Sequence, residues 1–306
     1  MLPDDSELKL TYFEAAKNRE LNSIKDWVLS NISPGSIDVN IMTKVDKANF
    51  EGNEKLPVQY NDAHAALRGF AKSNLKSSIV LSAGMNPRLY SYFEQFDDFY
   101  PDENGELKKK IILKVSDYRS ALIQGKFLAK KGLWVSEYRV ESGLNCGGHA
   151  FATEGVLMGP ILEEFKKNRE SLKHITHEIY TDALLKKNKI YNGKPFDLNI
   201  TAQGGVGTSD EQKFLLDYYQ VDSVGWGTPF LLVPEATCVD SETSKLLADA
   251  GENELYLSNV SPLGVPFNNI RGSGSEIYTK EMVERGKPGS KCPKKFLVTN
   301  TEFTEN

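Results

Sequence analysis

The sequence predicts an α/β protein built from parallel βα units. Short apolar runs typical of buried strands alternate with segments of helical periodicity along most of the 306 residues. Apolar residues make up 40% of the chain and charged residues 26%, which is a globular composition without the bias of a disordered protein. Three strand-like runs lead into glycine-rich turns, where parallel strands would present their carboxyl ends to a ligand.

The first two strand candidates follow helical segments. Apolar residues recur at near-helical spacing over Leu10–Ile32, which predicts a helix, and the strand-like run "IDVNIMTKV" (Ile37–Val45) comes after it. A second helix, which Asn61 can cap, precedes "SSIVLSAG" (Ser77–Gly84). These segments predict the first two βα units.

Two further strand candidates lie in the middle of the chain. The run "KKIILKVS" (Lys109–Ser116) leads into a helix that Asp117 can cap and Gly132 can end. The run "LWVSEYRV" (Leu133–Val140) follows that helix. A polar helical stretch, rich in Lys and Glu, then extends over residues 154–194, and its role as a lid, a dimer arm or plain surface stays open.

The last two strand candidates complete a set of six. They are "FDLNITAQGG" (Phe196–Gly205) and "VDSVGWGTPFLL" (Val221–Leu232), with a predicted helix over Ser209–Gln220 between them and another over Cys238–Gly251. Such a run of units fits either an open doubly wound sheet or a (β/α)₈ barrel. In both folds the carboxyl ends of the strands form the site.

Composition excludes several classes of protein. The net charge of −5 and the absence of a long basic stripe argue against a nucleic-acid partner. No apolar run reaches the roughly 18 to 20 residues that span a bilayer, and the acidic amino terminus is unlike a secretory signal. Cys146, Cys238 and Cys292 are far apart and form no CxxC pair, which argues against a metal site or disulfide framework and favours a reducing cytoplasm.

Two consecutive glycine turns form a candidate phosphate site. Glycine lets backbone N–H groups approach an anion closely, and a helix that starts just after the turn adds its positive end. The segment "QGGVGTSDEQKF" has this layout, with Gly204 and Gly205 after a strand and a helix from Ser209 or Asp210, and "VGWGTPF" repeats it one unit later. The alternative is that both are tight βα turns without a ligand.

Three side chains are candidates for chemistry. His149 follows two glycines after a predicted strand, and an imidazole can serve as an acid, a base or a neutral donor near neutral pH. The alternative for His149 is a capping or packing role. Cys146 is a nucleophile only if a base faces it, and otherwise a small turn residue. Asn40, a polar residue within an apolar strand, can bond a planar ligand or a neighbouring backbone group.

These motifs, in this order, resemble those of the nitronate monooxygenases (once called 2-nitropropane dioxygenases) and of the related flavin-dependent enoyl-acyl carrier protein reductases. The matching segments are "DVNIM", "IVLSAGMNP", "NCGGH", "AQGGV", "DSVGWGTPF" and "SPLGVPFNNIRG". The likeness covers about residues 10–272. Each motif is weak alone, and the series in order is specific.

The resemblance implies an FMN-binding (β/α)₈ barrel of the TIM type. The six strand candidates would correspond to the third through eighth strands of that barrel, and the chain has no counterpart of the first two before Asn40. Residues 1–272 would then form one barrel domain, with residues 154–194 as a polar helical insertion. Residues 273–306 would form a loop-rich extension.

The resemblance also implies an activity and a set of site residues. His149 would be the catalytic base or polarising group, and the reaction would be oxidation of a small activated carbon acid, with O₂ reoxidising FMN. The alternatives are an NAD(P)H-dependent enoyl-thioester reductase and a non-catalytic phosphate-ligand-binding barrel that has lost the flavin. Whether the chain forms a homo-oligomer stays open. The implied FMN contacts are Asn40, Gly84, Ser116, Gly147, Gly148, Gln203, Gly204, Gly205, Gly227 and Thr228.

Overall fold

The structure is a computed structural model, and it describes most of the chain in several separate segments. The described residues are 7–18, 25–27, 30, 37–41, 46–82, 84–141, 158–191, 193–204, 206–227, 239–258 and 267–288. His149 and the three cysteines lie outside the described residues. So do four of the expected FMN contacts: Gly147, Gly148, Gly205 and Thr228.

The described elements alternate as the sequence predicts. The strands are β1 (Val39–Ile41), β2 (Phe50–Glu51), β3 (Glu54–Lys55), β4 (Ser77–Leu81), β5 (Lys109–Val115), β6 (Val135–Glu141), β7 (Asn199–Gln203), β8 (Ser223–Gly225), β9 (Leu255–Ser258) and β10 (Phe267–Ile270). The α-helices are α1 (Glu7–Lys17), α2 (Asp62–Lys72), α3 (Pro87–Tyr92), α4 (Tyr118–Ala129), α5 (Met158–Lys186), α6 (Ser209–Asp217), α7 (Ser241–Asp249) and α8 (Gly274–Glu284).

Six strands form one parallel sheet in the order β1-β4-β5-β6-β7-β8. All six predicted strands are therefore confirmed, within shorter bounds. The order runs along the chain in one direction, so right-handed connections bring the intervening helices to one face of the sheet. Among the described residues, β1 and β8 end the ladder and do not pair with each other. The pairs β2–β3 and β9–β10 form separate antiparallel hairpins.

One face of the sheet is apolar and buried. Because successive side chains on a strand point to opposite faces, alternate positions share a face, and the parallel register aligns them across the sheet. The buried residues of this face are Ile41, Ile79, Leu81, Ile111, Leu113, Val115, Tyr138, Val140, Ile200 and Ala202. They join side chains of α2, α4 and α5 in a single core. This face of the sheet therefore forms the hydrophobic core with the helices.

The polar stretch of the sequence contains the crossover helix between β6 and β7. Helix α5 spans 29 residues and buries Ile161, Leu162, Phe165, Leu172, Thr176, Tyr180, Ala183 and Leu184. It packs on α4 and β6. In the part of the chain that the structure describes, neither this helix nor another is long and apolar enough to cross a membrane.

Gly125 on α4 allows a close contact with Tyr138 on β6. A Cβ atom added at Gly125 would lie 2.1 Å from the Tyr138 hydroxyl and 3.3 Å from Cγ2 of Thr176 on α5. The hydroxyl is buried without a hydrogen-bond partner among the described residues. Burial raises the pKa of Tyr138. A glycine at this position lets the helix approach the sheet.

The helix ends show which sequence signals hold. Asp117 accepts a hydrogen bond from Ser120 N at 2.6 Å and Gly132 has φ +69°, so both predicted roles at the ends of α4 are confirmed. The prediction that Asn61 caps α2 is wrong. Asn61 stands at the cap position, but its side chain makes no cap bond. Asp46 takes that role, since its Oδ1 accepts from Ala63 N at 3.0 Å.

Candidate functional site at the carboxyl edge of the sheet

The second face of the sheet is polar and contains most of its charge. The same alternation that buries Tyr138 brings polar side chains of three adjacent strands to this face. They are Lys110 and Lys114 on β5, Glu137, Arg139 and Glu141 on β6, and Asn199, Thr201 and Gln203 on β7. We call this surface the polar face.

A half-buried network of charges extends across the polar face. Lys114 Nζ lies 3.2 Å from Oε1 of Glu141, whose side chain is 7% exposed. Arg139 Nε donates to Glu137 Oε1 at 2.8 Å, and Thr201 Oγ1 donates to the same oxygen at 2.7 Å. Buried carboxylates need such partners. The network fixes the positions of side chains across three adjacent strands.

One contact shows that the sheet curves. Arg139 Nη2 on β6 lies 3.7 Å from Oδ2 of Asp38, which directly precedes β1. Strands β4 and β5 lie between them, a separation of about 14 Å in a flat sheet. Side chains stand roughly perpendicular to a sheet, so this contact indicates curvature toward the polar face. Such curvature brings the two ends of the sheet nearer to each other.

The amino end of the polar face borders a cavity of about 750 Å³. Asp38, Lys110, Glu137 and Asn199 are among the residues that line it. Asp38 Oδ1 is buried and has no hydrogen-bond partner among the described residues. The cavity is at the opposite end of the strands from the residues that the sequence analysis singled out.

The described FMN-contact candidates all lie at the carboxyl ends of strands. Asn40 is exposed in β1, and Ser116 directly follows β5. Gly84 follows β4 with φ +114°. Gln203 ends β7, and Gly227 comes two residues after β8. In a parallel sheet these ends form one edge, so the fold gathers the described candidates there.

The two glycine turns are neighbours at this edge. Gln203 is in register with Gly225, and Gly204 N donates to Gly225 O at 3.3 Å. Gly204 has φ +84°, which favours glycine. Among the described residues, a Cβ atom added at Gly227 would meet nothing within 4 Å. The two turns therefore lie side by side at the carboxyl edge.

The amino end of α6 is already capped by its own side chains. Thr208 accepts from Glu211 N at 3.2 Å, and Glu211 Oε2 accepts from Gly207 N at 2.7 Å and from Thr208 N at 3.0 Å. This is a capping box. The hydrogen bonds from Gly207 and then Thr208 hold the pKa of Glu211 below its ordinary value. These two amides are engaged by a carboxylate of the chain itself.

The charged members of the polar face are the site residues that the sequence analysis missed. Lys114 and Glu141 adjoin the carboxyl edge, but Lys114 lies within a run that reads as a buried strand and Glu141 directly follows another such run. The available signal is the spacing. Polar residues at every second position of β6, as in Glu137, Arg139 and Glu141, indicate a polar face.

Comparisons with known proteins show distant structural likeness only, and no match in sequence. No family model matches the chain, and no curated protein matches it. Among solved structures, it is similar to the enoyl reductase domain of MlnA from the macrolactin biosynthesis cluster of Bacillus amyloliquefaciens, with 14% identity and a TM-score of 0.45. The likeness covers 89% of this chain, which spans 58% of that structure. A likeness of this degree assigns neither an activity nor a cofactor.

Proposed function

We propose that the chain is an FMN-dependent oxidoreductase that oxidises a small activated carbon acid with O₂, and that its sheet belongs to a (β/α)₈ barrel. The observation that carries this proposal is the common edge at which the sequential parallel order gathers Asn40, Gln203 and the two glycine turns. The curvature indicated by Asp38 and Arg139 supports a barrel whose interior is the polar face.

The glycine turns fit a phosphate, with a restriction on which amides bind it. The Gly204 amide bonds Gly225, and those of Gly207 and Thr208 bond Glu211. A phosphate would therefore bind mainly the remaining turn residues, Gly205, Gly227 and Thr228. Among the described residues, no atom lies within 4 Å of a Cβ built at Gly227, which is consistent with a bound group there.

The flavin ring would lie at the carboxyl end of the polar face. Asn40 and Gln203 are exposed there and can donate or accept hydrogen bonds at ring heteroatoms. Lys114 and Glu141, as a close ion pair, contribute a dipole and no net charge. When bound, the flavin would supply the transfer of electrons between substrate and O₂.

His149 would accept the proton that leaves the substrate carbon. It follows β6 by eight residues, counted from Glu141 to His149, and β6 ends at the proposed mouth of the barrel. An imidazole can accept a proton near neutral pH, and a positioned base contributes about 10²- to 10⁴-fold to a rate. The proposal therefore assigns proton transfer to His149 and binding to the turns.

Absorbance spectra of the purified full chain, before and after addition of FMN, test the proposal. We expect flavin bands, either as purified or after reconstitution. A chain that stays colourless and does not bind FMN would contradict it and favour a non-catalytic phosphate-binding barrel. With flavin bound, O₂ uptake with an alkyl nitronate is the expected activity. NAD(P)H consumption with a crotonyl thioester instead would indicate an enoyl-thioester reductase.

A further inference from the structure

A groove separate from the carboxyl edge lies between α2 and α3. Its volume is about 830 Å³, within the range of about 300 to 1,000 Å³ of small-molecule sites. The residues that line it are Val58, Gln59, Tyr60, His64, Arg68, Lys72, Pro87, Arg88, Ser91, Tyr92 and Gln95.

The segment between β1 and α2 is fastened to the start of that helix and supplies one wall of the groove. Asn49 Nδ2 donates to Tyr60 O at 2.7 Å and to Asp62 Oδ1 at 2.9 Å. Asp62 N in turn donates to Lys47 O at 3.0 Å. Together with the Asp46 cap on α2, these bonds hold Tyr60 in place. Hydrogen bonds within the chain therefore form this wall of the groove without a ligand.

The groove is positively charged. Arg68, Lys72 and Arg88 line it, and none of the described lining residues is acidic. Arg68 is fixed by hydrogen bonds from Nη1 to Gln59 O and to Tyr92 Oη, and its guanidinium lies 5.6 Å from the Tyr60 ring centroid. Among the described residues, Lys72 and Arg88 have no carboxylate partner. An anion would find unpaired cations here.

A buried histidine forms part of the groove wall. His64 lines the groove and is 1% exposed. Its Nδ1 lies 2.7 Å from Oδ2 of Asp46, and its ring stands 5.1 Å from the Tyr92 ring, measured between centroids. These contacts hold the His64 and Tyr92 rings side by side, so the cations are the groups in the groove that would bind an anion.

We propose that this groove binds a small organic phosphate ester. The three cations more than neutralise a phosphate dianion, and Arg and Lys are its ordinary ligands. The volume exceeds what a free phosphate ion would fill, and the Tyr60 and Tyr92 rings offer apolar surface to the organic part. The net charge of −5 for the whole chain disfavours a nucleic-acid strand as the occupant.

Calorimetric titration of the full chain at low salt, with phenyl phosphate and separately with inorganic phosphate, tests the proposal. We expect phenyl phosphate to bind more tightly than inorganic phosphate. The variants Arg88→Gln and Lys72→Gln should each weaken phenyl phosphate binding about tenfold, the usual size for loss of one charge-assisted hydrogen bond. Both side chains are exposed, so neither change should disturb folding.

Two control variants separate this groove from other sites. Arg119→Gln removes an exposed arginine at the second position of α4, as Arg88 is at the second position of α3, and should leave the affinity unchanged. Gly205→Val should block the proposed flavin site and leave groove binding intact. Absence of phenyl phosphate binding would overturn the proposal. So would equal affinity for inorganic phosphate, or binding unaffected by Arg88→Gln and Lys72→Gln.

Discussion

Arg139 on β6 contacts Asp38 at the start of β1 across two intervening strands, with 3.7 Å between Nη2 and Oδ2. The two side chains are largely buried, at 25% and 17% exposure. The contact therefore indicates how the sheet curves from β1 to β6. Patterns of residues that are neighbours in the sequence do not show this curvature.

A double-mutant cycle measures this contact. In urea unfolding, Asp38→Asn and Arg139→Met should show a coupling energy of about 0.5 kcal/mol or more, because each change removes the same ion pair. The control is Asp38→Asn with Arg169→Met. Arg169 pairs with Asp222, so that coupling should be near zero. Additive effects of Asp38→Asn and Arg139→Met would contradict the curved sheet.

Gly125→Ala should destabilise the fold by about 3 kcal/mol, because the new methyl group would overlap the Tyr138 hydroxyl. Tyr138→Phe should stabilise it by about 1 kcal/mol, since it removes a buried hydroxyl without a described partner. In the Tyr138→Phe background, Gly125→Ala should cost much less. Chemical denaturation of the four proteins checks this, and equal costs in both backgrounds would contradict the contact.

Glu211→Gln should lower stability at neutral pH. The folded pKa of Glu211 is below its ordinary value of 4.5, so its stabilisation is present above the unfolded pKa and is lost as pH falls through the folded pKa. The difference between Glu211→Gln and the unchanged chain should shrink over that window in urea unfolding at several pH values. Glu170→Gln, the same change at an exposed position on α5 outside the capping box, is the control.

His149→Ala should lower turnover by about 10²-fold or more while FMN stays bound, because the base would be lost and the phosphate contacts kept. Steady-state kinetics and the flavin spectrum measure the two effects separately. His174→Ala, on the exposed surface of α5 at 73% exposure, should leave turnover unchanged. Full activity of His149→Ala would remove His149 from the mechanism.

Gly205→Val should abolish FMN binding, because a branched side chain would fill the proposed phosphate site in the sequence after β7. Fluorescence titration with FMN measures the affinity. Gly69→Val is the control, since an added Cβ atom on the exposed side of α2 meets no described residue within 4 Å. Normal FMN affinity in Gly205→Val would show that the phosphate binds elsewhere.

Local sequence patterns predicted the strands well because the strands bring apolar residues to the apolar face within short runs of the sequence. The run from Lys109 to Ser116 shows this, as it forms β5 from Lys109 to Val115. The Asp117 cap and the Gly132 stop were also predictable, since both act within a few residues of their own helix.

Features made by distant residues could not be predicted in this way. Asp46 displaces Asn61 as the cap of α2 from fifteen residues further up the chain. The pairing of Lys114 with Glu141 depends on the register of two strands. The hydrogen bonds from the Gly207 and Thr208 amides to Glu211 depend on the rotamer of the Glu211 side chain, which the sequence does not give.

The order β1-β4-β5-β6-β7-β8 also bears on how the protein is made. Each strand pairs with the strand synthesised one unit earlier, so its partner is already present when it leaves the ribosome. Such a chain can assemble from its amino-terminal side without waiting for a distant segment. On a ribosome stalled after β7 has emerged, five of these strands would then already be paired in the sheet.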